Sequence, residues 1–476
     1  MVSALRPTPV KWCSVKLSEV VKNQKRLEAD IFDIETRNYR SLVENSVNGV
    51  TFLAGKNGLI KNAFYPGRFK RTYCKKQYGI PFFLPSQLSE IHPQPTKWIS
   101  KITKCDIEDL RLKRNTLLLS RSGTLGNISI VSRTTENQIY SDDVIRITFK
   151  FDYDLGYVYA YLKSTVGKKL LSATGYGSVI THIEPKHLET IPVPNAPEEV
   201  KRRIHGHIMR SYALRDESNE LLDKAQALLR EELNLKKLED LKLDLLAENT
   251  GAQMYSVKQS RLGGRLDASY HTPLVKAILA EISKNAAELT NVGDSRISRD
   301  IILPGRFKRF YVDEGAGRVF IGGKQIQELA PENKKYLSVR QHGARIAAQL
   351  ELHENMTVLT CSGTIGKVAL VGRQWENWTA SQHIIRIIPA NDDIAGYLSV
   401  FLSSDYGRHL IAHHTYGSVV DEIDDNHVSQ IQIPLLKNAS VQKEINDCAL
   451  QAKQKRYEAY RMEQEALGLL DDVFTE

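Results

Sequence analysis

The chain has 476 residues, 42% hydrophobic and 25% charged, enough to bury substantial cores, which excludes a low-complexity or disordered tract and by length alone suggests about three domains. Its 65 Lys+Arg against 56 Asp+Glu give a net charge of +9, which suits a polyanionic partner and also suits a mildly basic enzyme. Cys13, Cys74, Cys105, Cys361 and Cys448 form no close pair of the zinc-binding kind, which points to a reducing cytoplasm; residues 1 to 20 contain no apolar run of signal-peptide length, and no segment reaches the length of a membrane span.

In chain order, the first distinctive segment is Pro66-Gly67-Arg68-Phe69-Lys70-Arg71, and it returns as Pro304-Gly305-Arg306-Phe307-Lys308-Arg309, 238 residues later. Phe82-Phe83 followed by Gln87 is matched by Phe320-Ile321 followed by Gln325, and Trp98-Ile99-Ser100 by Tyr336-Leu337-Ser338. From Ser122-Gly123-Thr124-Leu125-Gly126, which returns as Ser362-Gly363-Thr364-Ile365-Gly366, the offset becomes 240, so a small loop insertion is expected between Ser338 and Ser362. Val144-Ile145-Arg146-Ile147 then matches Ile384-Ile385-Arg386-Ile387, and Tyr176-Gly177-Ser178-Val179 matches Tyr416-Gly417-Ser418-Val419. Motifs repeated in one order at so long a period mark two duplicated domains rather than a solenoid of short repeats.

Within each half, β-branched and aliphatic runs punctuated by Gly, Asn and Ser predict strands with tight turns over residues 116–119, 128–131 and 144–149, and over 357–360, 368–371 and 384–388. Helical spacing of Tyr, Leu and Val from Gly156 to Leu171 and from Ile394 to Ile411 predicts at least one helix packed on the sheet of each domain. After Ile191-Pro192-Val193-Pro194 and Ile431-Gln432-Ile433-Pro434 the pattern changes to a spacing of four and three. The seams run Val200, Ile204, His207, Ser211, Leu214, Ser218, Leu221, Ala225, Leu228 and Val441, Ile445, Cys448, Ala452, Lys455, Ala459, Met462, Ala466, Leu469. Two such helices at the same place in the repeat suit coiled-coil packing of one on the other; ordinary amphipathic helices, each docked on its own domain, are the alternative. Lys236 to Ser260 begins as a charged helical continuation and ends in Asn249-Thr250-Gly251-Ala252, a linker, before Arg265-Leu266-Asp267-Ala268 echoes Arg26-Leu27-Glu28-Ala29. The fold expected is α+β, with residues 1–196 and 261–436 as duplicated mixed α/β domains, 197–240 and 437–476 as long antiparallel coiled-coil helices, and 241–260 as linker.

Catalytic chemistry is absent from the motifs. Ser362 to Lys367 approaches a phosphate loop, but Cys361 stands where that pattern needs Gly, Val368 where it needs Ser or Thr, and Asn127 replaces the lysine in the first copy. There is no dinucleotide fingerprint, no His-Glu-x-x-His, and no Asn/Asp-Pro-Pro-aromatic tetrapeptide; His205-Gly206-His207 and His413-His414 are unmatched between the halves and fit surface or packing roles. The duplicated residues are Gly, Ser, Thr, Arg and Tyr, which bind, rather than sets of carboxylate, His and Cys that catalyse. No cofactor or metal site is expected.

Leu119-Ser120-Arg121-Ser122-Gly123-Thr124-Leu125-Gly126-Asn127, then Gly177-Ser178 with Ile183, Leu188 and Ile191-Pro192-Val193-Pro194, then a long helix, the whole repeated, resembles the DNA-specificity subunit of type I restriction-modification systems. The resemblance covers essentially the full chain. One departure is that Ala196-Pro197-Glu198-Glu199 and Lys437-Asn438-Ala439-Ser440 stand where the family often has a Pro-Leu and a Glu-Gln pair. The resemblance implies two target-recognition domains, each reading half of a split, asymmetric double-stranded DNA target. It further implies two helices acting as a ruler, no catalysis by this chain, and docking of methyltransferase (modification) subunits, two in number, with restriction or motor subunits joining them, in the cytoplasm and away from membranes.

On that reading Arg68, Lys70, Arg71, Arg306, Lys308 and Arg309 offer phosphate or guanine contacts, the alternative being solvated strand ends. Gln87 and Gln325 can read adenine or sit in ordinary polar loops. Ser122, Thr124, Ser362 and Thr364 fix a tight turn and can touch phosphate, and Arg121, Ser178, Lys367 and Ser418 complete the DNA-facing set. Tyr176 and Tyr416 fit packing and sugar contact equally well. Two other readings stay open: an enzyme with a divergent site, and a DNA-binding scaffold of another defence complex.

Overall fold

Leu117–Ser120 and Val144–Phe149 are short aliphatic runs, and they pair antiparallel at the centre of a four-stranded sheet. Its order is Ile60–Phe64, Val144–Phe149, Leu117–Ser120, Ile128–Ile130. The computed structural model describes residues 14–22, 25, 27–123, 125–177, 181–245, 256–331, 334–417 and 420–475. These fall into two compact units: Met1–Ala213 with Arg461–Glu476, and Leu214–Tyr460. Each long helix is divided between them.

In the first unit a second sheet pairs Lys97–Ser100 and Ile139–Tyr140 to either side of Gly79–Phe83, the latter pair parallel, and Val50–Phe52 pairs with Pro192–Pro194. Prolines are tolerated in that short two-stranded ladder because it has no further strand to receive their missing N–H groups. Their carbonyls are used: the hydroxyl of Tyr157 donates to Pro194 at 2.7 Å and that of Tyr161 to Pro192 at 2.6 Å. Both tyrosines are fully buried, and each needs an acceptor for its hydroxyl. The second unit repeats the plan. Ser298–Ile302, Ile384–Pro389, Thr357–Thr360 and Val368–Leu370 form one sheet; Tyr311–Val312, Lys335–Ser338, Gly317–Ile321 and Thr379–Ala380 form another; and Tyr397 donates to the Pro434 carbonyl at 2.6 Å.

Each of the two stretches with helical spacing holds two helices. Asp152–Lys163 stops at Ser164, whose backbone is extended and whose Oγ accepts from Gly167 N at 3.1 Å to cap Thr165–Ala173. Ser404 does the same between Asp392–Ser403 and Asp405–His413, accepting from Gly407 N at 2.9 Å. The two extra residues of the second half enter a helix rather than a loop: Val339–Arg345 runs into a π-turn, Ile346–Leu350, where the first half has only the short helix Ile107–Leu110. Extra residues inside a helix are commonly absorbed as a π-bulge.

A fully buried arginine ties the two sheets of each unit together. Arg146 donates to the carbonyls of Ser141 and Val144 through Nη1 and of Leu110 and Tyr140 through Nη2. Arg386 makes the matched set with Ser381, Ile384, Leu350 and Ala380. Burial pushes their guanidinium groups down, to about 10 and about 9.

The long helices are Glu198–Glu232 and Ala439–Thr475. In the second unit they run antiparallel: Lys455 meets Glu217 at 2.5 Å, Arg456 Nε donates to Ser218 Oγ at 2.9 Å, and Lys224 meets Glu444 at 2.7 Å. In the first unit His207 lies 3.5 Å from Glu465, again with indices running in opposite senses. Ser211, Leu214, Ser218 and Ala225 are buried as the seam requires, as are Ala452, Ala459 and Ala466, while the seam lysine reaches out to its glutamate. Each helix also caps its own domain. Asn446 Oδ1 accepts from Gly396 N at 2.8 Å and Tyr397 N at 3.2 Å, and His205 Nδ1 accepts from Gly156 N at 3.3 Å. A Cβ on Gly156 would stand 2.6 Å from His205 Cα, and one on Gly396 2.4 Å from the Asn446 carbonyl oxygen, so only glycine permits these approaches.

The charged stretch after Glu232 does not continue the helix. Asn234 takes a left-handed conformation (φ 46°), and Leu238–Leu245 is a separate helix that buries Leu238 and Leu241 in the second unit's core. The linker residues 246–255 lie outside the described residues.

Candidate nucleic-acid interface

In the first unit, Phe64 pairs with Arg146 and Ser120 with Val144, so three chain segments leave the four-stranded sheet at one end: 65–71, 121–127 and 141–143. Bridges from His182 to Ser122 and to Tyr176 bring Tyr176 and residues 181–184 to the same end. The sheet thus gathers Arg68, Lys70, Arg71, Arg121, Ser122 and Tyr176, which are up to 108 residues apart in sequence. Thr124, Ser178 and Ser418 lie outside the described residues. The Ser122–Gly126 hairpin closes through left-handed Gly123 (φ 77°) and Gly126 (φ 81°), and its copy through Gly363 (φ 74°) and Gly366 (φ 87°), so the repeated glycines make the turn.

The centre of this end is a hydrogen-bonded hub. Glu184 accepts from Arg121 and, at 2.8 Å, from Tyr176, and Arg121 lies 4.1 Å over the Tyr65 ring. Burial opposes the charge of Glu184, but Arg121, Tyr65 and Tyr176 outweigh it and hold its carboxyl below the ordinary range. Arg121 is buried and pairs with Glu184 within this hub. Arg71 is likewise engaged: its Nη2 lies 2.6 Å from Asp142, 3.3 Å from Asp143 and 3.0 Å from Ser141 Oγ, and its guanidinium stands over Phe82. Arg68 and Lys70 are exposed.

The second unit gathers the matched segments at the end of its own sheet. Ser362 and Tyr416 bridge to Glu422, Arg306 Nη2 lies 3.1 Å from Glu422, and Ser362 Oγ lies 3.3 Å from the same carboxylate. Arg309 stands over Phe320 as Arg71 does over Phe82. Lys308 lies 5.2 Å over the Phe310 ring, Thr364 is exposed, and the Lys367 backbone N–H donates to Thr360 Oγ1 at 3.0 Å. Tyr416 is 41% exposed and lies beside His427.

Gln87 and Gln325 are turn caps. Gln87 is buried, its Oε1 accepts from Leu84 N at 3.1 Å and its Nε2 donates to the Gln94 carbonyl at 2.7 Å, so no amide edge is left to read adenine. Gln325 Oε1 accepts from Gly322 N at 2.8 Å in the matched turn. The carboxylates that decide which arginines are engaged, Asp142, Asp143, Glu184 and Glu422, were missed by a reading that followed matched residues. For Asp142, Asp143 and Glu422 the signal was the mismatch: Gln382-His383 stand opposite Asp142-Asp143, and Glu422 opposite His182.

Among the described residues no cluster of His, Cys, Asp and Glu could hold a metal ion, and no helix is long and apolar enough to cross a membrane. No family model and no curated protein matches this chain. Among solved structures it is similar to the S subunit of a type I restriction-modification system from M. genitalium, at 13% identity and a TM-score of 0.33, over 89% of this chain and 98% of that one. It is also similar to the HsdS subunit from Thermoanaerobacter tengcongensis, at 13% identity and a TM-score of 0.27, over 89% and 99% of the two chains. A chain from a structure concerned with complex assembly and conformational transition of the type I R-M system matches at 13% and 0.27, over 87% and 98%.

Proposed function

We propose that this chain is the DNA-specificity subunit of a type I restriction-modification complex, a non-catalytic cytoplasmic protein whose two units each read one half of a bipartite, asymmetric duplex target. The observation that carries the reading is that each unit separately gathers a Pro-Gly-Arg-Phe-Lys-Arg segment, a Ser-Gly hairpin and a tyrosine at one end of one sheet. A basic, polar surface built twice suits two stretches of phosphate backbone with bases between them. The two copies differ in sequence, so the half-sites differ. Exposed Arg68, Lys70 and Lys308 supply charge, with Ser122, Ser362, Thr364, Lys367 and Tyr416 beside them on the described loops. The paired helices supply the spacing and the docking surface for two methyltransferase subunits, to which motor and restriction subunits add.

Expression of this chain with modification subunits, followed by mapping of methylated bases, tests the reading. Methylation at one split sequence is expected, and methyl transfer by the purified chain alone would overturn it.

A further inference from the structure

Each repeated basic segment carries two arginines three residues apart, and in each unit a carboxylate occupies one of them. In the first unit Arg71 is the occupied one. Asp142, whose side chain is only 5% exposed, and Asp143 both reach its Nη2, and although burial opposes its charge these partners hold the guanidinium above its ordinary range. Arg68 is exposed and meets no carboxylate among the described residues, because His182 stands where the second unit has Glu422.

In the second unit the choice is reversed. Glu422 takes Arg306, while the positions of Asp142 and Asp143 are filled by Gln382 and His383, whose side chains pair with each other at 3.1 Å. Burial and the nearby arginines push His383 down, which keeps it neutral. Arg309 therefore meets no carboxylate among the described residues, and its Nε is buried without an acceptor.

Resting on the DNA-binding reading above, we infer that the arginine that engages nucleic acid is the first of the segment in the first unit, Arg68, and the last in the second, Arg309. The two units thus grip DNA from positions three residues apart in matched segments. The physical ground is competition. A phosphate or guanine competes with Glu422 for one Nη of Arg306 and with two aspartates for Nη2 of Arg71, whereas Arg68 and Arg309 meet no carboxylate among the described residues and Arg309 rests on the Phe320 ring. Tandem copies of one domain then contact their half-sites in different registers, through exchanges at 142/382, 143/383 and 182/422.

The test is salt-dependent binding of the full chain to a duplex selected from a random pool, with thermal melts to verify folding. Arg68→Gln and Arg309→Gln should each weaken binding about fivefold at 0.15 M salt and make the salt slope shallower by about one. Glu422→Gln, which frees Arg306, should tighten binding and steepen the slope. Larger losses for Arg71→Gln and Arg306→Gln than for Arg68→Gln and Arg309→Gln would overturn the inference, as would four equal losses. Absence of salt-dependent binding by the unaltered chain would instead take down the DNA-binding reading, and this inference with it.

Discussion

Arg146 and Arg386 stand in motifs that the duplication makes conspicuous, yet both face inward and spend their donors on four backbone carbonyls. Removing such a side chain strands several buried acceptors at once. Arg386→Leu should therefore cost on the order of 3 kcal/mol or more, read as a lower midpoint in urea unfolding. A loss below about 1 kcal/mol would mean that water replaces the guanidinium. Gln87 makes the same point on a smaller scale. Gln87→Leu should lower stability by about 1–3 kcal/mol and leave the preferred bases alone, because its amide is committed to Leu84 and Gln94. A shift in base preference in a binding-site selection would contradict the capping role. A repeated residue announces only that both copies need it; whether it faces a ligand or a backbone carbonyl is a matter of burial, which spacing does not carry.

At the scale of elements, the strands were legible because aliphatic runs between Gly and Asn have few alternatives. Leu117–Ser120, Val144–Phe149 and Thr357–Thr360 fall within a residue or so of the expected spans. The helix break at Ser164 was not, since Tyr, Leu and Val keep helical spacing across it and only the Ser164 to Gly167 hydrogen bond reveals the new start. One helix end carries a pH response. The ring of His413 stacks on Tyr270 at 4.3 Å, His414 is buried beside it, and Arg265 lies 4.3 Å over the Tyr270 ring while donating to the His414 and Thr415 carbonyls. Burial, reinforced by Arg265 and neighbouring histidines, pushes both imidazoles down to about 4. With the folded pKa values below the unfolded ones, the unfolded chain binds more protons between about pH 6.5 and 4, so stability falls as pH drops through that window. The slope is at most about 1.4 kcal/mol per pH unit for each histidine. The melting temperature should drop between pH 7 and pH 5, and less so in His414→Gln; identical profiles for the two proteins would show that these rings carry no linkage.

For the whole molecule, the duplication and the paired helices were plain in the sequence, because a repeated order of motifs and a four-three seam survive divergence. The exchange of carboxylate partners was not, since it depends on which loops meet at the end of each sheet. The helices offer the most direct handle on the proposed architecture. Glu217 faces Lys455 and Ser218 faces Arg456, so four residues added to one helix alone would slip the seam against its partner. Four residues added to both, after Ser218 and after Gln454, preserve the facing pairs, since four residues are about one turn, and lengthen the pair by about 6 Å. At about 3.4 Å per base pair, the spacer between the two half-sites should grow by one or two base pairs while the bases read on either side stay the same. Methylated-base mapping in cells carrying the lengthened chain gives both quantities in one experiment. A spacer that stays fixed would show that the helices do not set the distance, and altered half-site bases would show that the units do not read DNA independently.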